Sequence, residues 1–216
     1  AGVTFSQLEK VSDGKAEYFA IRLHKPGESL DAVLGQLVDA ALKKLPVAKL
    51  MRWGNSDVQF VRPVHGLVLL HGTRVVPGTA LGLTSGNTTR GHRFMSTGAI
   101  TLSNADVYAA TLEQQGRVVV SFEQRREKIR ALLDTAAGRR TWLQDDALLD
   151  EVTALVEYPA VYEAGFEEEF LAVPQECLIL TMKANQKYFP LMDSAAANAR
   201  LTNRFLVVSN MQVDDP

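Results

Sequence analysis

Four short segments of the 216-residue chain concentrate arginine, lysine or histidine beside aromatic residues. Arginine offers a fork of donors that fits a phosphate group, and an aromatic ring offers a face on which an unpaired base can stack. Residues 88–94 are the strongest candidate, because they combine two arginines, hydroxyl and imidazole groups and a flexible glycine without an acidic neighbour. The pattern predicts a basic surface suited to RNA. The four segments are residues 51–54 (MRWG), 60–65 (FVRPVH), 88–94 (TTRGHRF) and 182–190 (MKANQKYFP).

Some of these residues also have a structural interpretation. Aromatic side chains lie in a protein core more often than on a binding surface, and that alternative stays open for Trp53, Phe60, Phe94 and Phe189. Arg62 precedes a proline within a predicted strand, and an internal ion pair is its alternative role.

The sequence lacks the local signatures of several common catalytic sites. There is no phosphate-cradling Gly-x-x-x-x-Gly-Lys-Ser/Thr loop, and no Gly-x-Gly-x-x-Gly, His-Glu-x-x-His or Gly-x-Ser-x-Gly motif. His65, His71 and His92 lack helical i, i+4 spacing and have Asp57 as their only nearby carboxylate, which argues against a metal site. The single cysteine, Cys177, excludes an intrachain disulfide and is expected to be a buried, inert thiol on a helix. We therefore predict no catalytic, cofactor or metal site.

The net charge of −2 hides two segments of opposite sign. Residues 43–93 hold eight lysines and arginines against the single acidic residue Asp57, a net charge of +7. Residues 141–176 hold ten acidic residues and neither lysine nor arginine, a net charge of −10. The basic segment favours binding to a nucleic-acid backbone. The alternative is that the two segments pack together and partly neutralise each other.

Hydrophobic periodicity, cap residues and prolines predict the elements that position these segments. Strands and helices do not alternate strictly, which favours an α+β fold with a mixed or largely antiparallel sheet and packed helices. Such a chain forms one compact domain or two intimately packed lobes, of about residues 1–100 and 101–216. The predicted strands are residues 3–11, 16–23, 58–70, 74–76, 79–84, 118–120, 187–192 and 204–209; the predicted helices are 30–45, 103–116, 121–137, 145–156 and 174–182; residues 85–94 are predicted to be a loop.

Six blocks of the sequence resemble the bacterial glycyl-tRNA synthetase beta subunit. They occur in that family's order, cover nearly the whole chain, and are together far more specific than any one of them. The family's subunit is several times longer, so the chain is expected to be part of its N-terminal half. The blocks are residues 44–46 (KLP), 49–54 (KLMRWG), 60–65 (FVRPVH), 89–94 (TRGHRF), 151–159 (EVTALVEYP) and 182–190 (MKANQKYFP).

The resemblance implies a cytoplasmic α2β2 ligase that joins glycine to tRNA(Gly) with ATP. It implies that the catalytic centre, with its ATP and Mg, lies on the alpha subunit. It also implies that the main role of the beta subunit is to bind tRNA. The implied partners are tRNA(Gly), the alpha subunit and a second beta subunit. This chain is then expected to hold no cofactor and to have no independent activity. The implied fold is that of the editing-type domain of the phenylalanyl-tRNA synthetase beta subunit.

Three roles follow for this section of the subunit. The first is tRNA binding, the second is hydrolytic editing of mischarged tRNA, and the third is a scaffold that docks the alpha subunit through the acidic segment. No membrane partner is expected, because the longest apolar stretch, residues 66–70, is far shorter than the roughly 20 residues that a spanning helix needs. The residues expected to contact tRNA are Arg52, Arg62, His65, Arg90, His92, Arg93, Lys183 and Lys187.

Overall fold

The computed structural model describes residues 4–195 and 198–213. It is a mixed α and β structure in which small sheets, mainly antiparallel, are combined with helices. The first residue of the predicted strand over residues 3–11 lies outside the described residues. No helix in the described part of the chain combines the length and apolarity that crossing a bilayer requires.

The first hundred residues form short hairpins around one helix. The helix begins after Ser29, as predicted, and ends at Lys43, three residues before Pro46. Most strand pairs are antiparallel hairpins, and the pairing of residues 67–68 with residues 85–86 is parallel. The elements are β1 (Glu9–Ser12), β2 (Glu17–Ala20), α1 (Leu30–Lys43), β3 (Met51–Arg52), β4 (Gln59–Phe60), β5 (Leu67–Val68), β6 (Leu70–His71), β7 (Arg74–Val75), β8 (Thr79–Ala80), β9 (Leu83–Gly86), β10 (Thr88–Arg90) and β11 (Ala99–Thr101).

The second half contains longer elements with local start and stop signals. The Ser121 hydroxyl accepts a hydrogen bond from the Gln124 N–H at the start of the third helix, and Gly138 ends that helix with a φ of +62°. The Asp145 carboxylate accepts one from the Leu148 N–H at the next helix start. The elements are α2 (Tyr108–Gln114), α3 (Phe122–Ala137), β12 (Thr141–Trp142), α4 (Asp146–Leu155), β13 (Ala160–Gly165), α5 (Gln175–Thr181), β14 (Phe189–Met192) and β15 (Leu201–Ser209).

The main core lies between α3, α4 and a four-stranded antiparallel sheet of order β12-β14-β15-β13. Burying each large apolar side chain there stabilises the fold by roughly 1.5–3 kcal/mol. The Trp142 and Phe189 rings meet edge to face with centroids 5.6 Å apart, which confirms the core role for Phe189. The fully buried side chains of this core are Ile129, Leu133, Trp142, Leu149, Phe189, Leu191 and Leu206.

Several predicted elements are wrong or incomplete. The predicted strand over residues 58–70 is broken into β4, β5 and the first residue of β6. Pro63 lies in the interruption between β4 and β5, since proline cannot donate to a strand ladder. The predicted loop over residues 85–94 contains β10. Residues 118–120 form no strand, whereas β12 and β13 were not predicted. Cys177 is exposed rather than buried, because α5 turns its neighbours Leu178 and Ile179 toward a second, smaller core cluster. That cluster consists of Met182, Met192 and Leu201.

Candidate nucleic-acid interface

The strongest candidate segment lies in a hairpin. Strand β10 pairs with β11 antiparallel, and Arg90, the last residue of β10, lies opposite Ala99. Because side chains alternate along a strand, Thr88 and Arg90 share one face, and both are exposed. The connection between the strands carries the remaining residues of the motif, including Arg93.

The buried side chain of His92 holds this connection in shape. Its Nδ1 accepts hydrogen bonds from the backbone N–H groups of Phe94 and Met95, each at 3.2 Å, and its carbonyl accepts one from the Ser96 N–H at 3.1 Å. The imidazole thus performs the role of an N-cap side chain at a helix start. With His92 turned inward, Arg93 and Phe94 face outward, and Phe94 is 76% exposed.

The connection is anchored against the end of α2. The His92 N–H donates to the Gly116 carbonyl at 2.6 Å, and the Ser96 hydroxyl donates to the Gln115 carbonyl at 3.1 Å. A Cβ atom at Gly91 would collide with the Gly116 backbone. The backbone segments at Gly91 and Gly116 therefore meet at a distance that only glycine allows at position 91. The residues around Arg93 are therefore fixed to a helix rather than free in a loop.

Two adjoining clefts open beside this hairpin. We call the first, of about 710 Å³, the Arg93 cleft; Arg90, His92, Arg93, His65 and Ser96 are among its lining residues. We call the second, of about 840 Å³, the Tyr108 cleft. The two share His65, Arg90 and Ala99. Tyr108 was missed by the sequence analysis, which singled out aromatic residues only beside basic ones. The Tyr108 cleft is further lined by Tyr108, Thr88, Thr89, Val68 and Leu70.

The arginines of the Arg93 cleft have no carboxylate partner. Among the described residues, neither Arg90 nor Arg93 forms a salt bridge or a side-chain hydrogen bond, and both are exposed. The exposed His65 likewise has no side-chain hydrogen bond within that part of the chain. Two unpaired arginines that line the same cleft make it suited to an anion, and the planar forks of their guanidinium groups match phosphate oxygens.

The structure does not bring all eight predicted residues together. Arg52 pairs with Asp57 at 2.9 Å in the β3–β4 hairpin, away from the residues that line either cleft. Arg62 is exposed and forms no ion pair with a described residue, so its alternative role in an internal ion pair is not supported. The remaining two candidates, Lys183 and Lys187, line a separate groove of about 500 Å³.

Lys183 and Lys187 are committed to carboxylates of α4 and its cap. Lys183 pairs with Asp145, and Lys187 pairs with Glu151 at 2.9 Å. Hydrogen bonding from the Lys183 ammonium, and then from the Leu148 N–H, lowers the pKa of the Asp145 carboxyl. These lysines stabilise the packing of the residues after α5 against the start of α4.

Half of the ten acidic residues in the acidic segment form ion pairs with described residues, and their basic partners lie outside the basic segment. Asp146 and Asp150 pair with Arg126, and Glu163 pairs with Arg140 and Arg204. The Arg140 hydrogen bond, with a further one from Arg204, lowers the pKa of Glu163. In residues 4–195 and 198–213 no ion pair joins the segment 141–176 to the segment 43–93, so ion pairing does not support the alternative in which the two segments neutralise each other.

The described residues offer little for hydrolytic chemistry at this site. The Ser96 hydroxyl and the His92 Nδ1 are both used to hold the connection between β10 and β11. No carboxylate from the described residues lines either cleft. No group of three or more histidine, cysteine or acidic side chains within the described ranges is placed to hold a metal ion.

Comparison with known proteins places these features in context. A family model described as "Glycyl-tRNA synthetase beta subunit" matches residues 1–216. The glycine–tRNA ligase beta subunit of Neisseria meningitidis serogroup C is 56% identical over 218 residues, which cover 100% of this chain and 31% of the relative. The subunits of the same name from Aromatoleum aromaticum and Methylobacillus flagellatus are 55% and 54% identical and cover 98% of this chain. The chain thus spans about a third of the length of these curated relatives.

Proposed function

The chain belongs to the glycyl-tRNA synthetase beta-subunit family, and on that premise we propose that this section of the subunit binds tRNA through the Arg93 cleft. The observation that carries the proposal is that Arg90 and Arg93 are exposed on an anchored hairpin without a carboxylate partner among the described residues. Unpaired guanidinium groups bind phosphate oxygens and displace counterions from a nucleic-acid backbone. The exposed ring of Phe94, beside Arg93, adds a surface for base stacking.

The proposal places this section within a larger assembly. The name of the relatives implies an alpha subunit as partner. The assembly has α2β2 composition, is cytoplasmic, and joins glycine to tRNA(Gly) at a centre on the alpha subunit that uses ATP and Mg. This section contributes tRNA contacts and has no independent activity. Its fold is that of the editing-type domain of the phenylalanyl-tRNA synthetase beta subunit.

The test removes both unpaired charges from the full-length beta subunit in complex with its alpha subunit. In the Arg90→Ala, Arg93→Ala double variant, tRNA affinity should fall at low salt. The slope of log affinity against log salt concentration should shrink by about one unit for each lost phosphate contact. Binding of labelled tRNA(Gly) between low and physiological salt gives both quantities.

The matched control removes two other exposed arginine charges. Arg139 and Arg200 also form no ion pair with described residues, and neither lines the Arg93 cleft. The Arg139→Ala, Arg200→Ala variant lowers the net charge of the subunit equally and should keep the wild-type salt slope. If the two double variants behave alike, the cleft is not a tRNA contact and the proposal is wrong.

A further inference from the structure

The Tyr108 cleft combines a charged junction with a less polar interior. It meets the Arg93 cleft at Arg90 and His65, where the guanidinium group of Arg90 supplies a positive charge. Away from that junction, its lining includes Tyr108, two threonines and small or aliphatic residues, and no carboxylate from the described residues. A ligand that fills both clefts would therefore be anionic at one end and flat and weakly polar at the other.

We propose that the Tyr108 cleft binds the base of an unpaired ribonucleotide whose phosphate contacts Arg90 and Arg93. This inference rests on the proposed tRNA binding and specifies its ligand. The base stacks on the Tyr108 ring, and the hydroxyl of Thr88, which lies on the same strand face as Arg90, offers a donor and an acceptor to its edge. The volume of about 840 Å³ lies in the range of pockets that enclose small organic groups.

The geometry selects an unpaired nucleotide over a duplex. In a helix both faces of each base are covered by its neighbours, so a base enters a protein cleft only after it leaves the stack. A duplex offers the Arg93 cleft its phosphates but leaves the Tyr108 cleft unfilled. A single-stranded end or a loop nucleotide fills both.

The elements around the Tyr108 cleft keep it open and fixed. Tyr108 is the first residue of α2, and the turn before it is capped by the Asn104 side chain, which accepts from the Asp106 N–H at 3.0 Å. The Tyr108 ring is 37% exposed, and its hydroxyl makes no hydrogen bond to a described residue. Directly across the hairpin from Arg90 stands Ala99, whose small side chain leaves the junction between the clefts free.

The test uses the full-length beta subunit with its alpha subunit and three fluorescent RNA hairpins. One hairpin is blunt with a minimal loop, one carries a short single-stranded 3′ overhang, and one carries an enlarged loop. We expect an unpaired probe to bind more tightly than the blunt hairpin. Tyr108→Leu should remove that preference, a loss of about tenfold or more in affinity for the unpaired probe. Tyr108→Phe, which keeps the ring, should retain it.

Photocrosslinking separates this cleft from other RNA contacts of the complex. With 5-iodouridine in the overhang or in the loop, we expect a crosslink in the peptide that contains Tyr108, and the probe that gives it identifies the source of the nucleotide. Equal binding of all three hairpins, an unchanged preference in Tyr108→Leu, or no crosslink in that peptide would overturn the inference. When one of these negative results occurs, the Arg90→Ala, Arg93→Ala variant separates the two proposals. If that variant still binds every probe more weakly than wild type, only the nucleotide inference fails and tRNA binding through the Arg93 cleft stands. If that variant binds like wild type, both proposals fail.

Discussion

A pair of substitutions at His92 separates its capping role from its volume. The His92 Nδ1 accepts from two backbone N–H groups, those of Phe94 and Met95. Asparagine and leucine have nearly the same size, but only asparagine carries a side-chain oxygen that caps such N–H groups. We predict that His92→Leu weakens tRNA binding far more than His92→Asn, although neither residue carries a charge that contacts phosphate.

The magnitude follows from the two hydrogen bonds. Each contributes a net 0.5–1.5 kcal/mol, so losing both destabilises the connection between β10 and β11 by about 1–3 kcal/mol. Since 1.4 kcal/mol is tenfold in an equilibrium constant, this destabilisation lowers affinity by up to about 150-fold where binding requires the closed form, and by less where the closed form stays the more populated one. Asparagine retains both acceptor contacts and loses mainly the packing of the imidazole ring.

Two measurements on the full-length complex check this reasoning. Equilibrium binding of tRNA gives the affinity of each variant. Hydrogen exchange of the peptide over residues 91–99 reports opening of the connection directly, and should be faster in His92→Leu than in His92→Asn. If the two variants exchange and bind alike, the backbone hydrogen bonds to Nδ1 do not organise the site and the positioning role is refuted.

Substitutions at Asp145 and Gly91, each with a matched control, test the cap of α4 and the contact between the β10–β11 connection and Gly116. Asp145→Ala should speed hydrogen exchange in α4 by the loss of a cap of about 1 kcal/mol, whereas Asp145→Asn keeps the cap and loses only the pair with Lys183. Because the pKa of Asp145 is lowered in the folded state, its carboxylate stabilises the fold at neutral pH and down to the ordinary aspartate pKa of 3.8. This contribution is lost as pH falls through the lowered pKa. The stabilities of wild type and Asp145→Asn should therefore converge in acid. Gly91→Ala should weaken tRNA binding, since the new methyl must displace the backbone of Gly116 at a cost of about 1–3 kcal/mol, and Gly86→Ala, which meets no close atom, should not.

The sequence predicts best those elements whose ends are set by neighbouring residues. Helix α3 begins at the Ser121 cap and ends at Gly138, both as expected from residue type alone. The hairpin of β1 and β2 likewise follows from the turn at residues 13–16, where the Asp13 carboxylate accepts from the N–H groups of Lys15 and Ala16. In these places the determining contacts span only a few positions of the chain.

Elements defined by distant pairing were missed. Four of the six residues of strand β13, namely Ala160, Glu163, Ala164 and Gly165, are of types depleted in strands, so its own residues give a weak strand signal. Its six residues are ordered by β15, which pairs with it from Gly165 opposite Arg204 to Ala160 opposite Ser209. Ion pairs show the same limit: the sequence assigns Lys183 and Lys187 to RNA, and only the packing of the residues after α5 on α4 reveals their carboxylate partners.

The motif of residues 89–94 contains two kinds of residue that composition alone does not distinguish. Two of its residues have structural roles: Gly91 allows close contact with the backbone of Gly116 after α2, and the buried His92 side chain caps the connection between β10 and β11. Arg90 and Arg93 face outward without a partner among the described residues. Two unpaired arginines line one cleft of this anchored hairpin, and a phosphate bound there would be attracted by both positive charges. Rigid anchoring of unpaired like charges is therefore an arrangement that favours an anionic ligand, and Gly91 and His92 are what maintain it.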